Sequence, residues 1–131
     1  MKFLHIGDLH LGKTLGDFDL AEDQKYILDQ ILCIADKESA DGVLIAGDVY
    51  DKSVPSEAAT KLLDHFLIEL AKREIKVFMV SGNHDSDHRL NYGSTLFAAN
   101  QVFISAVFDG TLHKQSFCCG DTGIDIYMLP F

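Results

Sequence analysis

Tryptophan is absent from the 131 residues, proline occurs twice and cysteine three times. So few prolines leave room for uninterrupted helices and strands. Cys33, Cys118 and Cys119 are odd in number and two are adjacent. That excludes a disulfide framework and the C-x-x-C spacing of a thiolate zinc site, so the cysteines are expected to be reduced and structural. No apolar run approaches the ~20 residues of a membrane span. The apolar opening is broken by His5 and Asp8, and no small-residue cleavage site follows it. The expectation is a soluble, cytoplasmic protein with no membrane association. Basic residues are also scarce, eleven Lys and Arg against twenty Asp and Glu, for a net charge of −9. Apart from Lys72, Arg73 and Lys76 they are scattered, whereas a duplex-binding surface clusters its cations to displace counterions. The chain alone is expected to bind DNA weakly. A nucleic-acid substrate is not thereby excluded, because carboxylates that hold metal ions are acidic by necessity and the ions reverse the local field.

What is present suits one globular domain with a real core: 47% hydrophobic and 24% charged residues. Repeats, low-complexity tracts and linkers are missing. Phe3-Leu4-His5-Ile6 reads as a strand. Leu20 to about Ala35 reads as a helix, with Ile27, Leu28, Ile31, Leu32 and Ala35 on one face. Val43-Leu44-Ile45-Ala46 is an apolar run suited to burial on both faces. A second helix starts near Pro55-Ser56-Glu57, where proline and an acid suit a first turn. Its apolar face is Ala59, Leu62, Leu63, Phe66, Leu67 and Leu70, and it ends around Lys72-Arg73. Ile75 to Val80 is the third strand. This βαβαβ order implies an α/β fold, a layered parallel sheet with right-handed crossovers and helices on its faces. Beyond it are expected a helical piece around Thr95–Ala99, a strand at Val102–Ile104 and a turn at Asp109-Gly110. A second turn at Gly120–Gly123 and a last strand from Ile124 to Leu129 complete the pattern.

Each of the first three strands runs into a polar motif, and the carboxyl ends of parallel strands are where ligands bind in such sheets. Asp8-Leu9-His10 spaces two ligands two positions apart, on one side of an extended segment. In Gly47-Asp48 the glycine allows close backbone approach, and the Asp48 carboxylate has two oxygens with which to bridge two ions. In Gly82-Asn83-His84-Asp85 the Asn83 amide oxygen binds a hard cation without adding charge. His84 is placed to donate to a phosphate, and Asp85 to orient that imidazole as a carboxylate does a catalytic histidine. Taken singly, each motif is equally a surface cap or a polar β–α turn. Together, on successive strand ends, they predict metal binding at Asp8, His10, Asp48 and Asn83, with His84 and Asp85 catalytic. Mixed oxygen and imidazole donors favour Mn²⁺ or a similar ion.

These motifs resemble the signature of the calcineurin-like metallophosphoesterases. The wider wording resembles one branch of that family, the SbcD-type bacterial nuclease subunits: Met1 to His5 running into Gly7–Lys13, Gly47–Asp51 with Pro55-Ser56, Gly82–Ser86 with Arg89-Leu90, and Leu129-Pro130-Phe131. The resemblance implies a two-manganese hydrolase of DNA phosphodiesters, an exonuclease and single-strand endonuclease acting in repair, recombination and replication. It also implies pairing with an SbcC-type ATPase subunit and a homodimer. Asp48 would bridge the ions and His84 would face the phosphate. Eukaryotic and archaeal relatives have histidine where Asp51 stands, so the resemblance carries no role to Asp51. The family also needs a later histidine and a Gly-His-x-His segment, and none of His5, His65, His88 and His113 stands in one. Residues 1–131 are therefore expected to be the N-terminal portion of a truncated nuclease domain, with little or no activity of their own. His5 is expected in the core, His65 on an exposed helix face, His113 in an edge strand and His88 in a solvated loop. Two other readings use the same residues: a phosphatase or small-molecule phosphodiesterase, and a non-catalytic module that dimerises through the Leu62–Leu70 stripe.

Overall fold

The apolar runs pair side by side as expected. In the computed structural model, which describes residues 1–119 and 122–131, β1 (Phe3–Ile6), β4 (Gly42–Ala46), β5 (Lys76–Val80) and β6 (Val102–Ser105) form a parallel sheet in that order. Between β1 and β4 come two short hairpin strands, β2 (Thr14–Leu15) and β3 (Phe18–Asp19), and helix α1 (Ala21–Glu38). Helix α2 (Glu57–Lys72) joins β4 to β5, and two short helices, α3 (Asp87–Leu90) and α4 (Ser94–Ala98), join β5 to β6. An antiparallel hairpin of β7 (His113–Cys119) and β8 (Thr122–Met128) follows.

Each crossover steps the same way across the sheet. Right-handed connections then deposit α1 and α2 side by side on one face. There Val43, Ile45, Val77 and Met79 pack against Leu28, Leu32 and Ala35 of α1 and Leu63, Phe66, Leu67 and Leu70 of α2. Strand alternation sends Phe78 to the other face. It stacks on Phe103 at 5.4 Å and meets Phe117 of the hairpin edge-on at 5.1 Å, so β7 and β8 cover that side. The Leu62–Leu70 stripe is thus spent largely on the parent sheet, with Leu62 only partly buried.

Local signals work as the chemistry requires. Ser56 caps α2 by accepting the Ala59 N–H at 3.2 Å. Arg73 ties the helices together, donating to Asp36 of α1 at 3.0 Å and to Glu69 of α2 at 2.7 Å. The Lys72 ammonium, and then Arg73, hold the Glu69 carboxyl down at about 2, from an ordinary 4.5. The Asp109 carboxylate accepts the Thr111 N–H at 2.9 Å, closing the expected turn at Asp109-Gly110.

The structure differs from expectation at the sheet's rim. His5 is exposed rather than in the core. It alternates with Leu4 and Ile6, which pack toward the helices, and so lies on the hairpin face with Leu44 and Phe78, at an edge strand where that face stays open to solvent. Ile27 of α1 is 53% exposed, lining the groove beside edge strand β1 with Ile6 and Leu9. His65, His88 and His113 are exposed. The expected Gly120–Gly123 turn lies partly outside the described residues. No helix among the described residues is long and apolar enough to cross a membrane.

Candidate metal centre

Beyond Ile6 and Ala46, strands β1 and β4 run on together as irregular chain. Asp8 N–H donates to Gly47 O at 3.2 Å, His10 N–H to Asp48 O at 2.9 Å and Leu11 N–H to Val49 O at 2.9 Å. Along this edge Asp8, His10 and Asp48 all have left-handed backbones, with φ of 53°, 43° and 48°. Side chains in that region cost energy, and such outliers collect at functional sites. The twist aims all three side chains at one point. His10 Nε2 lies 3.8 Å from Asp8 Oδ1 and 3.9 Å from Asp48 Oδ2.

The loop after β5 closes the site from the other side. Gly82 sits directly beneath Asp48, and a Cβ there would overlap the Asp48 carboxylate and backbone nitrogen. That contact explains the glycine. His84 N–H donates to Asp48 Oδ1 at 2.9 Å, which leaves Oδ2 as the oxygen facing His10. The His84 ring meets the His10 ring edge-on, with centroids 4.7 Å apart. Asn83 is exposed between Gly82 and His84.

Asp85 does something other than expected. Its carboxylate accepts the backbone N–H groups of Val49 at 3.1 Å, Tyr50 at 2.9 Å and Gly82 at 2.9 Å. With both oxygens turned to backbone donors, it staples the β4 loop to the β5 loop rather than orienting His84. The His84 ring is held instead through Nδ1, 3.0 Å from the Asp51 carbonyl oxygen. Burial pushes the neighbouring Tyr50 phenol above its usual range, with the Thr60 hydrogen bond opposing.

Two contributors carry weak sequence signals. Gln24 on α1 accepts the Gly12 N–H at 2.9 Å and donates to His10 O at 2.7 Å, anchoring the first motif to the helix. Its signal is a polar residue one turn before Leu28 on an otherwise apolar stripe. Asp51 places Oδ1 3.3 Å from His10 Nδ1, from a motif position that the family resemblance leaves without a role.

Donor atoms of Asp8, His10 and Asp48 all lie within 4.8 Å of one another, and so do those of His10, Asp51 and His84. The Asp8 and Asp48 carboxylates at this spacing repel one another without a cation. His10 Nδ1 is buried without a hydrogen-bond partner, since Asp51 Oδ1 is off the line of the ring nitrogen. Crowded carboxylates, a strained backbone and an inward-facing imidazole fit a divalent cation held by oxygen and nitrogen donors.

Residues 1–129 match the model of the calcineurin-like phosphoesterase family. The SbcD component of the nuclease SbcCD from Staphylococcus epidermidis is 43% identical over 133 aligned positions, which take in all of this chain. The chain spans about a third of that relative's length (34%).

Proposed function

The chain belongs to the calcineurin-like phosphoesterase family, and on that premise we propose that it is the N-terminal, metal-holding portion of a manganese-dependent DNA nuclease subunit. The proposed complete enzyme is cytoplasmic and homodimeric, works with an SbcC-type ATPase, and trims double-strand breaks and hairpins. The observation that carries this reading is the 43% identity to a nuclease component along the entire chain. Phosphatases and small-molecule phosphodiesterases share the family's motifs, and no feature of the site favours them.

Asp8, His10, Asp48 and Asn83 would hold the ions. Divalent cations in such a site neutralise phosphate charge and ease deprotonation of an attacking water. Asp48 is pre-aimed for this by the His84 N–H on Oδ1 and by Gly82 beneath it. The His84 ring is exposed and anchored only at Nδ1, so Nε2 is the atom that meets substrate. When the ring is protonated, Nε2–H donates to the leaving oxygen of the cut strand. Asp85 keeps both loops in register through three backbone hydrogen bonds. Four protein ligands shared between two ions leave much coordination to water, so the chain alone binds Mn²⁺ weakly and cuts DNA slowly or not at all.

The test pairs Mn²⁺ calorimetry with hydrolysis of a single-stranded oligonucleotide and of p-nitrophenyl phosphate. Expected are weak Mn²⁺ uptake, lost in Asp48→Asn, and any turnover confined to DNA. Brisk monoester hydrolysis without DNA cleavage would overturn the nuclease reading. Two tight Mn²⁺ sites would overturn the weak-binding one.

A further inference from the structure

We infer that Lys13 and Lys52 hold phosphates neighbouring the one at the metal centre, so that the site takes a single DNA strand rather than a small phosphate ester. This deepens the nuclease reading above and rests on it. The cations of this acidic chain are unevenly committed. Among the described residues, six of the eleven basic side chains pair with carboxylates: Lys2, Lys25, Lys61, Lys72, Arg73 and Lys114. Lys76 lies over the Phe117 ring, and Lys37 sits in the last turn of α1, where the helix dipole favours positive charge. The three that remain, Lys13, Lys52 and Arg89, each follow one of the strand-end motifs. Arg89 lines a small cavity beside α2 with Thr60 and Asp64, which leaves the two lysines.

Both leave the same paired stretch of chain. Leu11 and Tyr50 bridge in parallel beyond β1 and β4, and the Asp51 N–H donates to Leu11 O at 3.1 Å. Lys13 comes two residues after Leu11. Lys52 directly follows Asp51, whose carbonyl oxygen lies 3.0 Å from His84 Nδ1. The Lys13 N–H donates to His10 O at 3.1 Å, which ties its backbone to the first motif. Its ammonium meets a carboxylate only loosely, 3.9 Å from Asp51 Oδ1, and the side chain is about half exposed. Lys52 is exposed, with no carboxylate oxygen within 4.0 Å of its ammonium among the described residues. A net charge of −9 repels a phosphodiester strand wherever it is not offset. Ions at the centre offset the charge of one phosphate. A monoester asks for no more, but a strand brings a further charge with each neighbouring nucleotide. An ammonium on a flexible four-carbon stem suits that task, following phosphates without regard to base.

The test is the salt dependence of binding at fixed Mn²⁺. It is read by fluorescence anisotropy of a labelled single-stranded phosphorothioate oligonucleotide, whose backbone resists cutting. Each phosphate contact to a single strand contributes about 0.7 to the slope of log affinity against log salt. Lys13→Gln and Lys52→Gln should each weaken binding and flatten the slope by about 0.7, and the double variant by about twice that. Lys61→Gln, which removes a cation paired with Glu57 on α2, should leave the slope unchanged. Thymidine monophosphate has no neighbouring phosphate, and calorimetry should find it bound alike by the unaltered chain and the double variant. No measurable oligonucleotide binding by the unaltered chain, or slopes that neither lysine moves, would overturn the inference and leave the nuclease reading to its own test. Equal loss of oligonucleotide and monophosphate in the double variant would overturn it too, because the lysines would then act at the metal centre itself. Slopes that fall as expected while Asp48→Asn leaves oligonucleotide binding untouched would uphold the lysine contacts and overturn the metal-centre reading instead.

Discussion

The helix-facing side of the parallel sheet and the loops at its carboxyl edge live under opposite rules. Toward the helices, Val43, Ile45, Val77 and Met79 are essentially solvent-free and in ordinary strand geometry. A few residues on, Asp8, His10 and Asp48 hold strained backbones, like charges face one another, and a ring nitrogen is buried without a partner. Local strain of order 1 kcal/mol or more per residue persists only where surrounding structure over-determines it. The packed face supplies that surplus, and the tip holds the polar groups that a cation would satisfy.

This division can be broken by substitution. Phe66 is fully buried between α2 and the sheet, and Phe66→Ala should cost about 3–5 kcal/mol in urea unfolding. A loss under about 1 kcal/mol would mean the helix face is not the main support. Asp85 sharpens the contrast, because it lies at the tip yet serves structure. Asp85→Ala leaves the Val49, Tyr50 and Gly82 N–H groups without their acceptor. It should cost at least about 2 kcal/mol, since each buried donor left unpaired is worth about 1–3 kcal/mol. Asp8 is the opposite case: 81% exposed and left-handed at φ 53°, its carboxylate 3.8 Å from the His10 ring. Asp8→Gly should leave stability unchanged or raise it by up to about 1 kcal/mol, as strain is relieved against greater freedom of the unfolded chain. It should also weaken Mn²⁺ binding at least tenfold, read by calorimetry.

How legible this division was depended on range. Strands β1, β4 and β5 and helices α1 and α2 announce themselves by apolar runs and helical period, because burial acts on neighbours along the chain. The two-residue strands β2 and β3 and the four-residue α3 are too short for a period to register. Convergence of Asp8, His10 and Asp48 followed from placing motifs at the ends of parallel strands. The partnerships of Asp85 and Asp51 did not follow. They join groups more than thirty residues apart, and nothing local in Gly-Asn-His-Asp tells a carboxylate that holds a ring from one that holds a loop. His5 departs from a core position because β1 is an edge strand, and on its hairpin face Phe3 reaches Phe78 while His5 stays open to solvent.

The smallest expected effect lies far from the site. Glu69 titrates near 2 when folded, against an ordinary value of 4.5, so its pairing with Lys72 and Arg73 stabilises above the unfolded value. That contribution is lost as pH falls toward about 2. The stability difference between the unaltered chain and Glu69→Gln should be constant above pH 5, shrink below about 4.5 and vanish near 2. A difference independent of pH would mean the pair carries no net stability, as is common for exposed ion pairs.

The gathering of Asp8, His10 and Asp48 around a shared cation is tested most directly by titrating substoichiometric Mn²⁺ into the ¹⁵N-labelled chain and following paramagnetic broadening. Signals of residues 7–10, 47–51 and 82–85 should vanish first and together, while those of the acidic first turn of α1, Glu22 and Asp23, persist. Broadening spread evenly over the acidic surface, with these three loops spared, would contradict it.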